Sequence, residues 1–280
     1  MSSDNKGGRE LPISEGELSR LTRELDEAHR ATLPVMTASA AGLSQELRDL
    51  GAVTPDGGQE RHPHLARRRF LVGAGASAAM LALAACGGKS EIDAAGPSPS
   101  PSGTGSSPSG SGTYTGDLLV VALAVALENQ AVGAYDAALK AATAGKLGTV
   151  PVAFTTFAQT AMAQHKDHAN AWNAVLASSG KPTITDVPLS NQEAVTKALG
   201  QVKDVPGVAK LALQLEDQAA QTYVFATFNV KSAGGINTAA TIAPVEAMHA
   251  AILHYVLGQY PVPDTFIGTD KAASPTLLTV

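Results

Sequence analysis

The feature that most restricts this chain is an internal repeat. Leu127 to Ala138 aligns with Leu215 to Ala226, and six of the twelve positions are identical, among them Leu127/Leu215, Glu128/Glu216 and Tyr135/Tyr223. Further on, His165-Lys166-Asp167-His168-Ala169 aligns with Glu246-Ala247-Met248-His249-Ala250, and Val175-Leu176 with Val256-Leu257. Self-similarity of this kind means two copies of one supersecondary unit. Apolar residues recur at helical spacing through both copies, so each reads as a hairpin of two helices. A pseudo-twofold axis between the hairpins sets the paired positions opposite each other at the centre of a four-helix bundle.

Breaks at Gly145 to Gly148, Gly180 to Pro182 and Gly234-Gly235 place the helices near 117–144, 151–178, 205–231 and 238–258. Asn191 to Leu199 reads as a short helix within the connection 181–204. Two short hairpin turns and one long crossover give an all-α, up-down bundle. Only 4% of residues are aromatic and alanine is plentiful, which suits close-packed helices better than sheets. Pro244 is expected to start or kink the fourth helix.

Ahead of the bundle the composition changes twice. All nine arginines, Arg9 to Arg69, precede the single cysteine, Cys86. Arg67-Arg68-Arg69-Phe70-Leu71 leads into an apolar stretch, Val72 to Ala85, too short for a comfortable membrane span and shaped like a signal segment. The arginine cluster resembles a twin-arginine export signal, and Leu83-Ala84-Ala85-Cys86-Gly87 resembles the lipobox of bacterial lipoproteins. The resemblance implies lipidation at Cys86, a membrane partner through that anchor, and export to the outer face of the cell membrane. One cysteine excludes a disulfide within a single copy. Gly87 to Gly112 is rich in Ser, Pro and Gly and reads as a disordered tether. Ser14-Glu15-Gly16-Glu17 reads as a capping box opening a charged helix to about Ala31. The expected organisation is thus a leader or cytoplasmic extension (1–65), a lipoprotein-type signal (66–86), a linker (87–113), the helical domain (114–262) and a tail (263–280) that wraps the bundle or frays. From Gly87 onward 10 Lys face 14 Asp and Glu, so nothing in the domain is basic enough for nucleic acid.

The repeat also lines up chemistry. Residues three apart share a helix face, so Glu246 and His249 present a carboxylate and an imidazole to one point, and His165 and His168 form the equivalent pair. Glu128 and Glu216 are the repeat-related acids of the first and third helices. The domain contains no arginine to pair with them, and a divalent cation is one remedy for buried carboxylates. These residues resemble the ferritin-like di-iron carboxylate superfamily, over roughly Asp117 to Pro261, and particularly its small exported bacterial members. In that superfamily one Glu comes from each of two helices and a Glu-x-x-His pair from each of the other two. Carried over, the resemblance implies metal ligation by Glu128, His168, Glu216, Glu246 and His249. The sixth candidate ligand, His165, stands where the family has Glu, and a neutral imidazole binds one ion where a carboxylate can bridge two. Iron, as a di-iron or mononuclear centre, is the implied cofactor, with zinc, manganese or copper as alternatives at a nitrogen-rich site.

Tyr135 and Tyr223 sit two turns past their glutamates and read as hydroxyl partners of a ligand carboxylate across the bundle. Trp172 reads as packing against the bundle, and His254, out of register with the repeat, as a surface residue or outer partner. Two functions follow. One is a cell-envelope metal-binding protein that turns over Fe(II) with dioxygen or peroxide. The other is a non-catalytic, membrane-tethered interaction domain with a degenerate metal site. A homodimer and a redox partner remain open, whereas a storage cage is disfavoured by the tether and anchor.

Overall fold

The computed structural model describes residues 12–52, 113–263 and 267–280. The signal segment 66–86, Cys86 and most of the linker lie outside the described residues. The helices are α1 (Glu15–Ala52), α2 (Asp117–Thr143), α3 (Val152–Ser178), α4 (Gln192–Gln201), α5 (Val205–Asn229) and α6 (Ala233–Val256), followed by a 3-10 turn, Pro275–Leu277. No strand occurs among the described residues; Leu189 and Leu278 form an isolated antiparallel bridge.

Helices α2 and α3 form one hairpin and α5 and α6 the other, as the repeat requires. Gly145, Gly148 and Gly180 adopt positive φ (69°, 72° and 67°) and end α2 and α3 with the left-handed turn that glycine tolerates best. Asp204 caps α5, its Oδ1 accepting from Gly207 N at 2.8 Å. The crossover is pinned rather than loose. Asn173 exchanges two hydrogen bonds with the backbone of Ile184, and Asn129 donates to the carbonyls of Ile184 and Asp186. Buried Gln130 donates to Asn191 and Gln192 at the start of α4. The tail wraps: Leu278 is buried, and Ser190 N and Thr279 N bond Leu277 O and Pro188 O at 2.9 Å.

Two elements are longer than the sequence indicates. Helix α1 starts at the capping box, where Glu17 N donates to Ser14 Oγ at 3.2 Å, but continues through Pro34 to Ala52 instead of stopping near Ala31. Proline removes one helical hydrogen bond. Beyond it, Met36, Ala40 and Leu43 are buried, and that apolar contact holds the second half of the helix. Helix α1 packs along both α3 and α6, so Glu15–Ala52 belongs to the same compact unit as the bundle.

Helix α6 begins at Ala233, not near 238, and continues through Pro244 rather than starting there. Gly234 and Gly235 lie in its first turn. A Cβ on Gly234 would come within 2.2 Å of Leu43 N and 2.6 Å of Ser39 O, so this glycine serves close helix approach rather than a break. Glu46 of α1 closes the contact by accepting from Ala233 N at 2.9 Å and Gly234 N at 3.0 Å, a carboxylate at a helix N-terminus.

The apolar core has two parts with a polar layer between them. One contains Leu123, Trp172, Leu176, Ile242 and Leu43; the other contains Phe154, Phe157, Leu253, Leu18 and Leu25.

Candidate metal centre

Six polar side chains from α2, α3, α5 and α6 fill that layer: Glu128, His165, His168, Glu216, Glu246 and His249, none more than 2% exposed. Their convergence follows from helix register. Glu216 lies 13 residues before the end of α5, and Glu246 lies 13 after the start of α6, so an antiparallel hairpin sets them level. The start of α6 at Ala233, rather than near 238, is what brings Glu246 to that depth.

His165 sits among the acids. Its Nδ1 is 2.7 Å from Glu128 Oε2 and 3.7 Å from Glu246 Oε1, and its Nε2 is 3.2 Å from Glu216 Oε1. His168 Nδ1 lies 2.9 Å from Glu246 Oε1 and 3.5 Å from Glu128 Oε1. His249 Nδ1 is 3.3 Å from both Glu216 Oε2 and Glu246 Oε2. Ligand atoms fall into two quartets, Glu128/His165/His168/Glu246 and His165/Glu216/Glu246/His249, within each of which they lie no more than 4.8 Å apart. Glu246 belongs to both and turns one oxygen toward each, as a bridging carboxylate does. His165 also belongs to both, but a neutral imidazole has one lone pair to give.

Burial pushes these histidines toward neutrality, and the carboxylates reverse it. Glu246 and Glu216 hold His165 well above its ordinary value, Glu128 and Glu246 raise His168 to about 9, and Glu216 and Glu246 raise His249. Against its burial, Glu128 is pulled to about 2 by His168 and His165, and Glu216 is lowered well below the carboxylate range by His165 and His249. In the absence of metal these shifts favour protonated histidines facing ionised Glu128 and Glu216.

Tyr135 Oη donates a hydrogen bond to Glu216, and Tyr223 Oη donates one to Glu128. Each repeat's tyrosine thus holds the other repeat's glutamate, as the pseudo-twofold axis demands. Trp172 Nε1 donates to Tyr223 Oη at 3.1 Å. His254 is remote from the layer, with Nδ1 2.7 Å from Gln259 Oε1 at the end of α6.

The donor set fits a divalent cation. His168 Nδ1 and Glu246 Oε1 are buried 2.9 Å apart, yet the contact lacks hydrogen-bond geometry and neither atom has another hydrogen-bond partner. Two unsatisfied donor atoms aimed at common space are what a cation takes up. Three carboxylates and three imidazoles suit iron, manganese or zinc, and the nitrogen share admits copper.

Two polar neighbours escape the repeat. Gln164 is 1% exposed, and its Oε1 accepts from His249 Nε2 at 2.8 Å, leaving Nδ1 turned inward. Its position one turn before His168 on the same face was the available signal. His29 of α1, 2% exposed, meets His168 edge-on; no local pattern ties residue 29 to the bundle.

Residues 116–259 match the family of the ferritin-like domain. No curated protein and no solved structure shows a significant match.

Proposed function

Because the chain belongs to the ferritin-like domain family, we propose that its six-residue layer binds divalent metal, iron first, and serves oxidation of Fe(II) by dioxygen or peroxide. The observation that carries this reading is the pair of buried quartets sharing Glu246. A bound redox metal would supply the electrons for reducing the oxidant. The chain's own residues do the rest. Glu128, Glu216 and Glu246 offset cationic charge in a site with no arginine or lysine. Tyr135 and Tyr223 restrict two of those carboxylates to one rotamer each, and Gln164 fixes the ring of His249. Six ligand side chains buried at most 2% exposed exclude bulk water, so only a small oxidant reaches the layer.

The test is metal analysis and an Fe(II) oxidation assay on the full chain. Bound metal, oxidation above the rate in buffer, and loss of both in Glu246→Gln/His249→Gln are expected. Protein that stays metal-free after reconstitution and does not oxidise Fe(II) would rule the reading out. A second reading, a tethered interaction domain with a degenerate site, is favoured by one observation: His165 bonds Glu128 and Glu216 at once, a clasp that needs no metal. Under it, divalent metal leaves the melting temperature unchanged, since any ligand of the native state alone must raise stability.

We also propose membrane attachment through Cys86 and export by the preceding signal. Cleavage before Cys86 would cut the chain between α1 and the bundle without undoing their packing, so the mass of the membrane-bound protein and co-purification of the α1 fragment report whether α1 stays on the domain.

A further inference from the structure

Helix α1 carries His29 to the outer edge of the layer. His29 falls between the two apolar runs of its own helix, Leu18/Leu25 and Met36/Leu43, and is as buried as they are. Its Nε2 lies 3.2 Å from Asp167 Oδ2. Its ring meets that of His168 with centroids 5.2 Å apart and planes at 66°.

Hydrogen-bond supply and demand at this contact are complementary. His168 turns Nδ1 toward Glu246 and Glu128, so in the neutral ring with that lone pair facing inward, Nε2 carries the hydrogen. That Nε2 is buried and has no partner. A carboxylate only accepts, so Asp167 takes the hydrogen on His29 Nε2, and the His29 lone pair is left on Nδ1. That Nδ1 is also buried without a partner. One orphan donor and one orphan acceptor therefore sit on two rings in edge contact. The repeat sharpens the point. His249, the mate of His168, has its outer nitrogen satisfied by Gln164 at 2.8 Å. For His168 the repeat counterpart of Gln164 is Val245, which has no polar group to offer, and α1 delivers one.

We propose that His29 is a positioning residue for His168, its Nδ1 accepting from His168 Nε2 through one water or after a small turn of either ring, in a chain Asp167–His29–His168 that keeps His168 Nδ1 aimed into the layer. The inference rests on the metal-binding reading above. It makes α1 a working part of the centre rather than a passive cover, because partners that fix a ligating histidine ring govern how firmly the metal is held.

The test uses Co(II) alone as probe on the full chain, reading affinity, visible d–d absorbance and the rate of Co(II) loss to EDTA. Three substitutions separate the roles of His29. His29→Phe keeps ring volume and removes the acceptor. His29→Asn places an acceptor oxygen near the former Nδ1, and His29→Gln reaches toward Asp167 while leaving the Nδ1 position empty. His29→Phe and His29→Gln are expected to weaken Co(II) by about 10- to 100-fold, the range for such outer partners, with a shifted d–d band. His29→Asn is expected to recover most of the affinity. Equal losses in Asn and Phe would mean that His29 only packs, and wild-type affinity and spectrum in Phe would also overturn the inference. Should His29→Phe fail to fold, Asp167→Asn, at a side chain 47% exposed, gives the second measure: faster Co(II) loss supports the chain and an unchanged rate refutes it. Wild-type protein that binds no Co(II) would instead count against the metal-binding reading itself.

Discussion

His165 is the residue on which the character of the centre turns. It touches Glu128 and Glu216 through its two ring nitrogens at the position where a carboxylate would bridge two ions. Changing it to Glu reverses both of its effects. The metal-free domain loses a proton-carrying ring and gains a fourth buried carboxylate, an uncompensated charge worth about 3 to 5 kcal/mol of destabilisation. With four carboxylates two divalent ions are neutralised, and a second bridge becomes available. His165→Glu should therefore melt well below wild type when metal-free and recover when Mn(II) or Fe(II) is added. Its affinity for the second ion should rise at least about tenfold, or about 1.4 kcal/mol. Melting curves with and without metal, together with metal content per chain, check this. A variant as stable as wild type without metal would show that the layer is not held by charge. The six polar residues that the layer brings together could be picked out from the sequence as one set, because each repeat indicated where the other's counterpart stands. Gln164 and His29 could not, since neither has a polar repeat mate and His29 reaches the layer only through tertiary packing.

At the scale of elements, the four bundle helices and the short α4 could be placed to within a few residues from periodicity and glycine breaks. The misplacements have one cause. Gly234-Gly235 and Pro34 are local stop signals, and in both places contact between α1 and α6 overrides them. Where α1 crosses α6, backbone meets backbone with no room for a methyl group. Gly234→Ala should force the helices apart and strip the Glu46 carboxylate from the amides it accepts from. Overpacking of this kind destabilises by about 1 to 3 kcal/mol. Glu46→Gln, which keeps the shape and removes the charge, should cost about 0.3 to 1 kcal/mol. Denaturant unfolding orders the two variants, and Gly234→Ala should also speed hydrogen exchange in α1 more than in α2. Equal protection loss in both helices would mean that α1 does not separate from the bundle as a unit.

For the whole molecule, the buried layer ties stability to pH, and the sign follows from the direction of each shift. His168 rises from 6.5 unfolded to about 9 folded, so its contribution is complete below 6.5 and is lost as pH climbs through 9. His165 and His249 shift in the same direction. Glu128 falls from 4.5 to about 2, so its contribution is complete above 4.5 and is lost as pH drops through 2, with Glu216 lowered likewise. Metal-free protein should therefore melt highest between about pH 4.5 and 6.5 and lose stability steadily toward pH 9. Metal binding has the opposite dependence. A cation must displace the imidazole protons, so its affinity grows as they leave and binding releases protons to solvent. The gap in melting temperature between metal-loaded and metal-free protein should widen from pH 6 to pH 9. Calorimetry across that range reads both trends. A metal-free melting temperature that stays level or climbs from pH 6.5 to 9 would mean that the histidines of the layer are neutral without metal, and that Glu128 and Glu216 are held by something other than imidazolium protons.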